Sequence, residues 1–201
     1  MSTHPITEEL LIGTLVREPV GNEQGYWSGA PGWTWDETDQ AAYVCYRIRR
    51  PRGVEPDRGG ESRIAKTTDF KKFKDVWAVQ KSAYNSASIE KSTLKRGLDG
   101  RWRYFTSYVA PEDGRWCTTI NKADSVEALD PANTQRLFTA TDFDLEGVKD
   151  PWLIDVNGTY HLFLSVAINT ASTNDSSHES LDIFNTGECK SATALATSTD
   201  L

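Results

Sequence analysis

The chain has 201 residues, of which 22 are Lys or Arg and 29 are Asp or Glu, so its formal net charge is −7. Nucleic-acid binding requires clustered positive charge, and this acidic balance argues against a nucleic-acid partner. No apolar run approaches the ~20 residues of a membrane-spanning helix, and residues 1–10 lack the basic start and apolar stretch of a signal peptide, so we expect a cytoplasmic protein without membrane contact.

The cysteines and histidines predict neither a metal nor a cofactor. Cys45, Cys117 and Cys189 are odd in number and lack Cys-x-x-Cys spacing, which argues against a disulfide framework and against a zinc site. No histidine combines with Asp or Glu at a spacing that a metal ion would require.

The first predicted unit covers residues 25–75 and contains strand-like runs at 26–35, 41–49 and 62–70. The second covers residues 80–125, with runs at 86–94, 101–109 and 115–120. Its runs are joined by Asp99-Gly100 and Asp113-Gly114, dipeptides that favour hairpin turns. The third covers residues 145–201: runs at 148–156 and 159–165 flank Asn157-Gly158, and a last run lies at 194–201.

The recurrence of three-stranded meanders, with almost no helical periodicity, predicts an all-β fold. A β-propeller of four-stranded blades around a channel is the favoured closure, and a β-sandwich is the alternative. Three units are fewer than the roughly 4 to 8 blades of a closed propeller. The ring is therefore expected to be open, either as part of a longer protein or with self-association through its open blade edges.

Two acidic residues fall in the opening strands that would line the channel. Aligning the strand around Glu90 with the strand around Asp150 sets these two carboxylates opposite each other. Both lie among apolar or small residues, so burial near the channel and acid–base chemistry are expected for them. An Asp-Pro turn for Asp150 and an exposed edge charge for Glu90 are the structural alternatives.

One segment of the third unit reads Glu146-Gly147-Val148-Lys149-Asp150-Pro151-Trp152-Leu153-Ile154-Asp155-Val156-Asn157-Gly158-Thr159-Tyr160-His161-Leu162-Phe163-Leu164-Ser165. It resembles a strand pair of the five-bladed β-propeller glycoside hydrolases, the arabinanase, xylosidase and levanase/invertase superfamily. The ends of two runs, at 67–70 and 197–201, are similar to the blade ends of that superfamily. The resemblance implies hydrolysis of O-glycosyl bonds in an arabinoside- or xyloside-type glycan, with carboxylates on either side of the scissile bond. It also implies that Asp150 is the helper aspartate that orients the acid.

The sequence departs from that superfamily at two places. Ala30-Pro31 stands where the resemblance implies the aspartate of the first blade, and Asp36 is the candidate to replace it from a longer loop. The acid glutamate is expected beyond Leu201, and Glu179 and Glu188 match no motif of the superfamily. A non-catalytic carbohydrate-binding propeller or inactive fragment, and an interaction scaffold, are therefore kept as alternatives.

Four further residues are candidates for substrate binding. Trp33 and Trp35 supply either an aromatic platform for a sugar ring or core packing. Arg47 belongs to a basic run. This run either pairs with the acidic pocket, binds an acidic sugar, or is a solvated strand end. His161 follows Tyr160 on a middle strand. The polar insertion at 167–190 is either a long loop over one end of the channel or disordered.

Overall fold

The part of the chain that the computed structural model describes, residues 15–173 and 183–201, contains eleven β-strands. They are β1 (Trp27–Asp36), β2 (Ala41–Arg49), β3 (Glu61–Thr67), β4 (Lys74–Gln80), β5 (Ile89–Arg96), β6 (Trp102–Val109), β7 (Trp116–Ala123), β8 (Gln135–Phe138), β9 (Leu145–Val156), β10 (Thr159–Ile168) and β11 (Lys190–Ser198). Short 3-10 helices span Lys81–Tyr84, Pro131–Asn133 and Thr141–Phe143. Within the described residues, no helix has the length and apolar character to cross a membrane.

Antiparallel meanders organise these strands into three blades. Blade 1 is a four-stranded sheet in the order β1-β2-β3-β4. Blade 2 has β5-β6-β7 with β8 paired to β7, and blade 3 has β9-β10-β11. A single parallel pairing, Trp116 with Gly147, joins β7 to β9 and so connects blades 2 and 3.

The hairpin of blade 3 shows why these sequences form meanders. Asn157 and Gly158 adopt φ of 53° and 80° between β9 and β10, as a type I′ turn requires. The Asp155 carboxylate accepts a hydrogen bond from the Gly158 amide at 2.9 Å. The turn predicted from the Asn-Gly dipeptide is therefore confirmed.

The opening strands β1, β5 and β9 lie side by side and run in the same direction. Gly32 of β1 lies against the backbone of Ser92 in β5, and Arg96 at the end of β5 donates to Asp36 at the end of β1, with Nε at 2.9 Å from Oδ2. β5 in turn contacts β9. We call the end of the molecule where these three strands begin the upper end, and the opposite end the lower end.

Two apolar layers fill the spaces between successive blades. Every residue of β6 is buried, because Tyr104 packs toward blade 1 whereas Phe105 packs toward blade 3. The layer between blades 1 and 2 also contains a buried polar link, in which the Tyr104 hydroxyl donates to Ser62 at 2.9 Å. Sheets that follow one another face to face around a line of inner strands are the packing of a propeller, so the β-sandwich alternative is wrong.

Blades 1 and 3 each keep an outer face that no further blade covers within the described residues. On blade 1, Trp33 is 66% exposed, while Arg17 lies over Tyr46 and donates to Asp75 at 2.8 Å. On blade 3, Trp152 and Leu195 are 45% and 53% exposed. The propeller is therefore open at both sides.

Candidate functional site

Each inner strand is interrupted by a β-bulge between its upper end and its middle. The bulges contain Ala30-Pro31 in β1, Glu90-Lys91 in β5 and Asp150-Pro151 in β9. A bulge places two residues opposite one on the neighbouring strand, which bends the strand and redirects its side chains. The bulges of blades 2 and 3 thus bring the two predicted carboxylates to the same end of the molecule.

The bulges of β1 and β9 occupy equivalent positions, whereas that of β5 is displaced. Ala30 and Asp150 both precede proline, with φ of 52° and 57°, and their bulges lie opposite Tyr46 and Leu164. The β5 bulge lies opposite Ser107, which is on the other face of its blade. The alignment of Glu90 with Asp150 from the sequence is therefore inexact by one strand position, although both residues reach the same site.

Two basic side chains connect the carboxylates. Arg47 of β2 forms an ion pair with Glu90. The Lys149 ammonium nitrogen lies 3.9 Å from a Glu90 carboxylate oxygen and 3.7 Å from an Asp150 carboxylate oxygen. Glu90 and Asp150 thus share one ammonium group, and they are no farther apart than the roughly 9.5 Å that limits an inverting glycosidase pair. We call Arg47, Glu90, Lys149 and Asp150 the upper cluster.

Aromatic rings hold the basic side chains of the upper cluster in place. Arg47 lies over the Trp27 ring at 5.2 Å from its centroid. Lys149 lies 5.3 Å from the Trp116 centroid and 4.6 Å from the Phe184 centroid. Cations over aromatic faces are attracted by the ring quadrupole, so these contacts fix the positions from which Arg47 and Lys149 meet the carboxylates.

Arg47 is the most buried member of the cluster. The residue is 5% exposed, and within the described residues its Nε atom has no hydrogen-bond partner. Burial, together with the smaller effects of Arg49 and Arg58, lowers the pKa of its guanidinium to about 10, against the opposing field of Asp150. Asp150 and Glu90 keep more contact with solvent, with side chains 28% and 18% exposed. The carboxylates therefore line the accessible side of the site.

Asp36 lies away from the upper cluster, at the lower end of β1. It is 6% exposed and accepts hydrogen bonds from Arg96 and from the Asp39 amide. Asp36 is the last residue of β1, well beyond the Ala30-Pro31 bulge, so the structure does not bring Asp36 beside Glu90 or Asp150. Its observed contacts join β1 to β5.

The predicted aromatic and histidine candidates also lie apart from the cluster. Trp33 and Trp35 are on the outer face of blade 1, where Trp35 stacks on Phe70 with centroids 6.1 Å apart. His161 is on the outer face of blade 3, and its Nδ1 lies 3.0 Å from the Thr159 carbonyl oxygen. Of the four substrate-binding candidates, the structure places only Arg47 with the two carboxylates.

Sequence reasoning assigned no role to Lys149, Trp116 or Phe184, which complete the site together with Trp27. Lys149 directly precedes Asp150 of the Asp-Pro bulge. Its position next to a predicted carboxylate was a signal in the sequence that could have indicated its place in the site. Phe184 lies within the polar insertion at 167–190, whose residues 174–182, including Glu179, lie outside the described residues. Nothing in the local sequence of Phe184 indicates its contact with Lys149.

Other features of the described structure do not compete with this site. A cavity of about 350 Å³ between blades 2 and 3 is lined mainly by apolar side chains, among them Phe105, Leu162 and Leu201, and does not reach Glu90 or Asp150. No group of three His, Cys, Asp or Glu side chains within residues 15–173 and 183–201 could hold a metal ion. The three cysteines are buried free thiols.

Solved structures with the same architecture include three carbohydrate-active enzymes. The β-xylosidase RS223 superposes with a TM-score of 0.52 at 12% identity, over 70% of this chain and 44% of that one. CoXyl43, a GH43 β-xylosidase/α-arabinofuranosidase from a compost microbial metagenome solved with xylotriose, gives 0.52 at 14% identity, over 87% and 50%. The Bombyx mori GH32 β-fructofuranosidase BmSUC1 gives 0.51 at 11% identity, over 83% and 33%.

The chain has the same propeller fold as these three enzymes. The propeller fold expected from the sequence is thereby confirmed. The chain spans half or less of the length of these three proteins. No protein-family model matches the sequence, and no curated protein matches it either.

Proposed function

We propose that the chain acts on the O-glycosyl bonds of an arabinoside- or xyloside-type glycan, which it binds at the upper cluster. The observation that supports this proposal is that Glu90 and Asp150, from adjacent inner strands, share the Lys149 ammonium group. Glycoside hydrolysis uses two carboxyl groups on either side of the scissile bond, one to protonate the leaving oxygen and one to activate water or attack carbon.

The fold adds independent support for a carbohydrate ligand. The similar structures include a GH43 enzyme solved in complex with xylotriose. In the present chain, the carboxylates are on the accessible side of the site and the arginine is beneath them. This arrangement leaves the acidic groups in reach of a ligand at the upper end.

Non-catalytic glycan binding is the second candidate function, and two observations favour it. Ala30 occupies the position in blade 1 that is equivalent to Asp150 in blade 3, so no carboxylate comes from that bulge. In addition, Glu90 is already engaged by both Arg47 and Lys149. A general acid must hold a proton to donate, and neighbouring cations favour the ionised form of a carboxylate.

The experiment compares the native chain with Asp150→Asn and Glu90→Gln. Aryl α-L-arabinofuranoside and aryl β-D-xyloside report hydrolysis, and the shift in melting temperature with arabino- and xylo-oligosaccharides reports binding. Asn tolerates left-handed backbone as Asp does, so Asp150→Asn is expected to fold. Asp142→Asn, an exposed position on the 3-10 helix Thr141–Phe143, is the matched control.

For an enzyme, we expect turnover that falls by about 10²-fold or more in both site variants and is unchanged in Asp142→Asn. For a binding protein, we expect no turnover, but a melting-temperature increase with glycan that both site variants lose. Absence of both hydrolysis and a melting-temperature shift would contradict the proposed function.

A further inference from the structure

The aromatic faces of the upper cluster carry cations, and this bears on which sugar the site takes. Trp27 has Arg47 at 5.2 Å and Arg49 at 6.0 Å from its ring centroid. The rings of Trp116 and Phe184 carry Lys149. A neutral sugar is commonly held by stacking on an open aromatic face, and here the faces beside Glu90 and Asp150 are already occupied by basic groups.

Several charged groups surround Arg47. Glu90 forms an ion pair with it, the carboxylate of Asp150 lies nearby, and two further guanidinium groups, those of Arg49 and Arg58, add positive charge. Arg49 and Arg58 have contacts of their own, whereas Arg47 retains unmet hydrogen-bonding capacity. A guanidinium group has five N–H donors, and the buried Nε–H of Arg47 has no acceptor among the described residues.

An anionic oxygen is the ligand group that such a site recognises. Arginine binds carboxylates through parallel N–H donors, and charge-assisted hydrogen bonds of this kind are stronger than those to neutral hydroxyls. Glu90 and Asp150 repel an anion, and Arg47 lies beneath them, so a ligand carboxylate is expected to approach over Trp27, on the side of the half-buried Arg49.

We propose that the glycan bound at the upper cluster is acidic, with the carboxylate of a uronic acid residue held by the guanidinium groups of Arg47 and Arg49 beside Glu90 and Asp150. This inference rests on the proposed function, because it names the class of glycan for that same site. It predicts ionic recognition, with a preference for charged over neutral oligosaccharides that salt weakens.

Isothermal titration calorimetry tests this with a galacturonic acid trisaccharide against xylotriose, at 50 mM and 500 mM NaCl. We expect the acidic trisaccharide to bind at least 10-fold more tightly than xylotriose at low salt, and most of this difference to disappear at high salt. Inorganic sulfate is titrated in competition, to separate recognition of a sugar carboxylate from recognition of any anion.

Arg49→Gln is the informative variant, because Arg49 is half-buried. Arg52 is an exposed arginine beyond the end of β2, and Arg52→Gln is the control. We expect Arg49→Gln to weaken binding of the acidic trisaccharide at least 5-fold without changing the affinity for xylotriose, and Arg52→Gln to change neither. Melting temperatures of both variants establish that they are folded.

The outcomes separate this inference from the proposed function. Equal affinity for the two trisaccharides, or full displacement by equimolar sulfate, would overturn the acidic-glycan inference and leave glycan binding standing. Binding of neither trisaccharide, together with no binding of arabino-oligosaccharides, would overturn both.

Discussion

Ala30 and Asp150 adopt the same backbone conformation before a proline, but the two residue types differ in how well they tolerate it. Both residues adopt left-handed φ, at 52° and 57°. This conformation costs an ordinary L-residue roughly 1–2 kcal/mol, whereas Asp is among the few that adopt it through local hydrogen bonding. Asp150 therefore suits its bulge, and Ala30 is strained in the equivalent bulge of blade 1.

Ala30→Gly is expected to stabilise the protein by about 1 kcal/mol, because glycine has no Cβ to strain at positive φ. Urea denaturation followed by tryptophan fluorescence measures the change. Ala83→Gly is the control: Ala83 is exposed in the 3-10 helix Lys81–Tyr84, and the same replacement there is expected to destabilise by roughly 0.5–1 kcal/mol. Destabilisation of equal size at both positions would show that Ala30 is not strained.

At the scale of elements, the approach of β1 to β5 determines how closely blades 1 and 2 pack. A Cβ atom added at Gly32 would lie 2.8 Å from the Ser92 carbonyl oxygen, which is backbone and cannot turn aside. Gly32 directly follows the Ala30-Pro31 bulge and Ser92 directly follows the Glu90-Lys91 bulge, so the contact lies close to the upper cluster. A side chain at Gly32 would therefore separate the inner strands near the upper cluster.

Gly32→Ala is expected to lower the free energy of unfolding by about 1–3 kcal/mol, as overpacking of a filled space does. It is also expected to weaken glycan binding, since Glu90 on β5 would move relative to Arg47 on β2. Gly29→Ala is the comparison, because a Cβ atom there meets only the Trp27 ring, at 3.0 Å. If Gly32→Ala proves no more destabilising than Gly29→Ala in chemical denaturation, the contact with Ser92 does not limit the approach of the strands.

At the scale of the whole molecule, the described residues cover blade 2 on both faces but blades 1 and 3 on one face each. Trp152, Phe163 and Leu195 form a row across the outer face of blade 3, since Phe163 is the register partner of both others. The Trp152 and Phe163 ring centroids are 5.9 Å apart. Contiguous exposed apolar groups of this kind favour association.

We expect the chain to self-associate with rising concentration and Leu195→Lys to reduce this association, since it places a charge in the apolar row. Sedimentation velocity at several concentrations measures it. Thr197→Lys, on the same strand and face but opposite His161, is the control and is expected to associate as the native chain does. Both substitutions are on the surface, so unfolding free energies should stay within about 0.5 kcal/mol. Equal association of all three proteins would show that the row is not the contact surface.

The sequence alone was sufficient for most of the strands and for their succession. Alternating and aromatic runs bounded by Asp-Gly and Asn-Gly turns are local signals, because turn geometry and side-chain period depend on neighbouring residues. The strand at 41–49 was predicted with the bounds of β2. A fourth strand in blade 2, β8, was missed because its four residues, Gln135–Phe138, are too short to show a period.

The composition of the candidate site was decided by the tertiary structure. Glu90, Asp150 and Arg47 were predicted and come together, whereas Asp36, Trp33, Trp35 and His161 lie elsewhere. Whether a residue of an inner strand faces the neighbouring blade, the outer face or the upper end depends on where a bulge interrupts the strand and on which sheet packs beside it. That information is held in contacts between residues far apart in the chain, so Lys149 could be placed between two carboxylates only once three blades were in position.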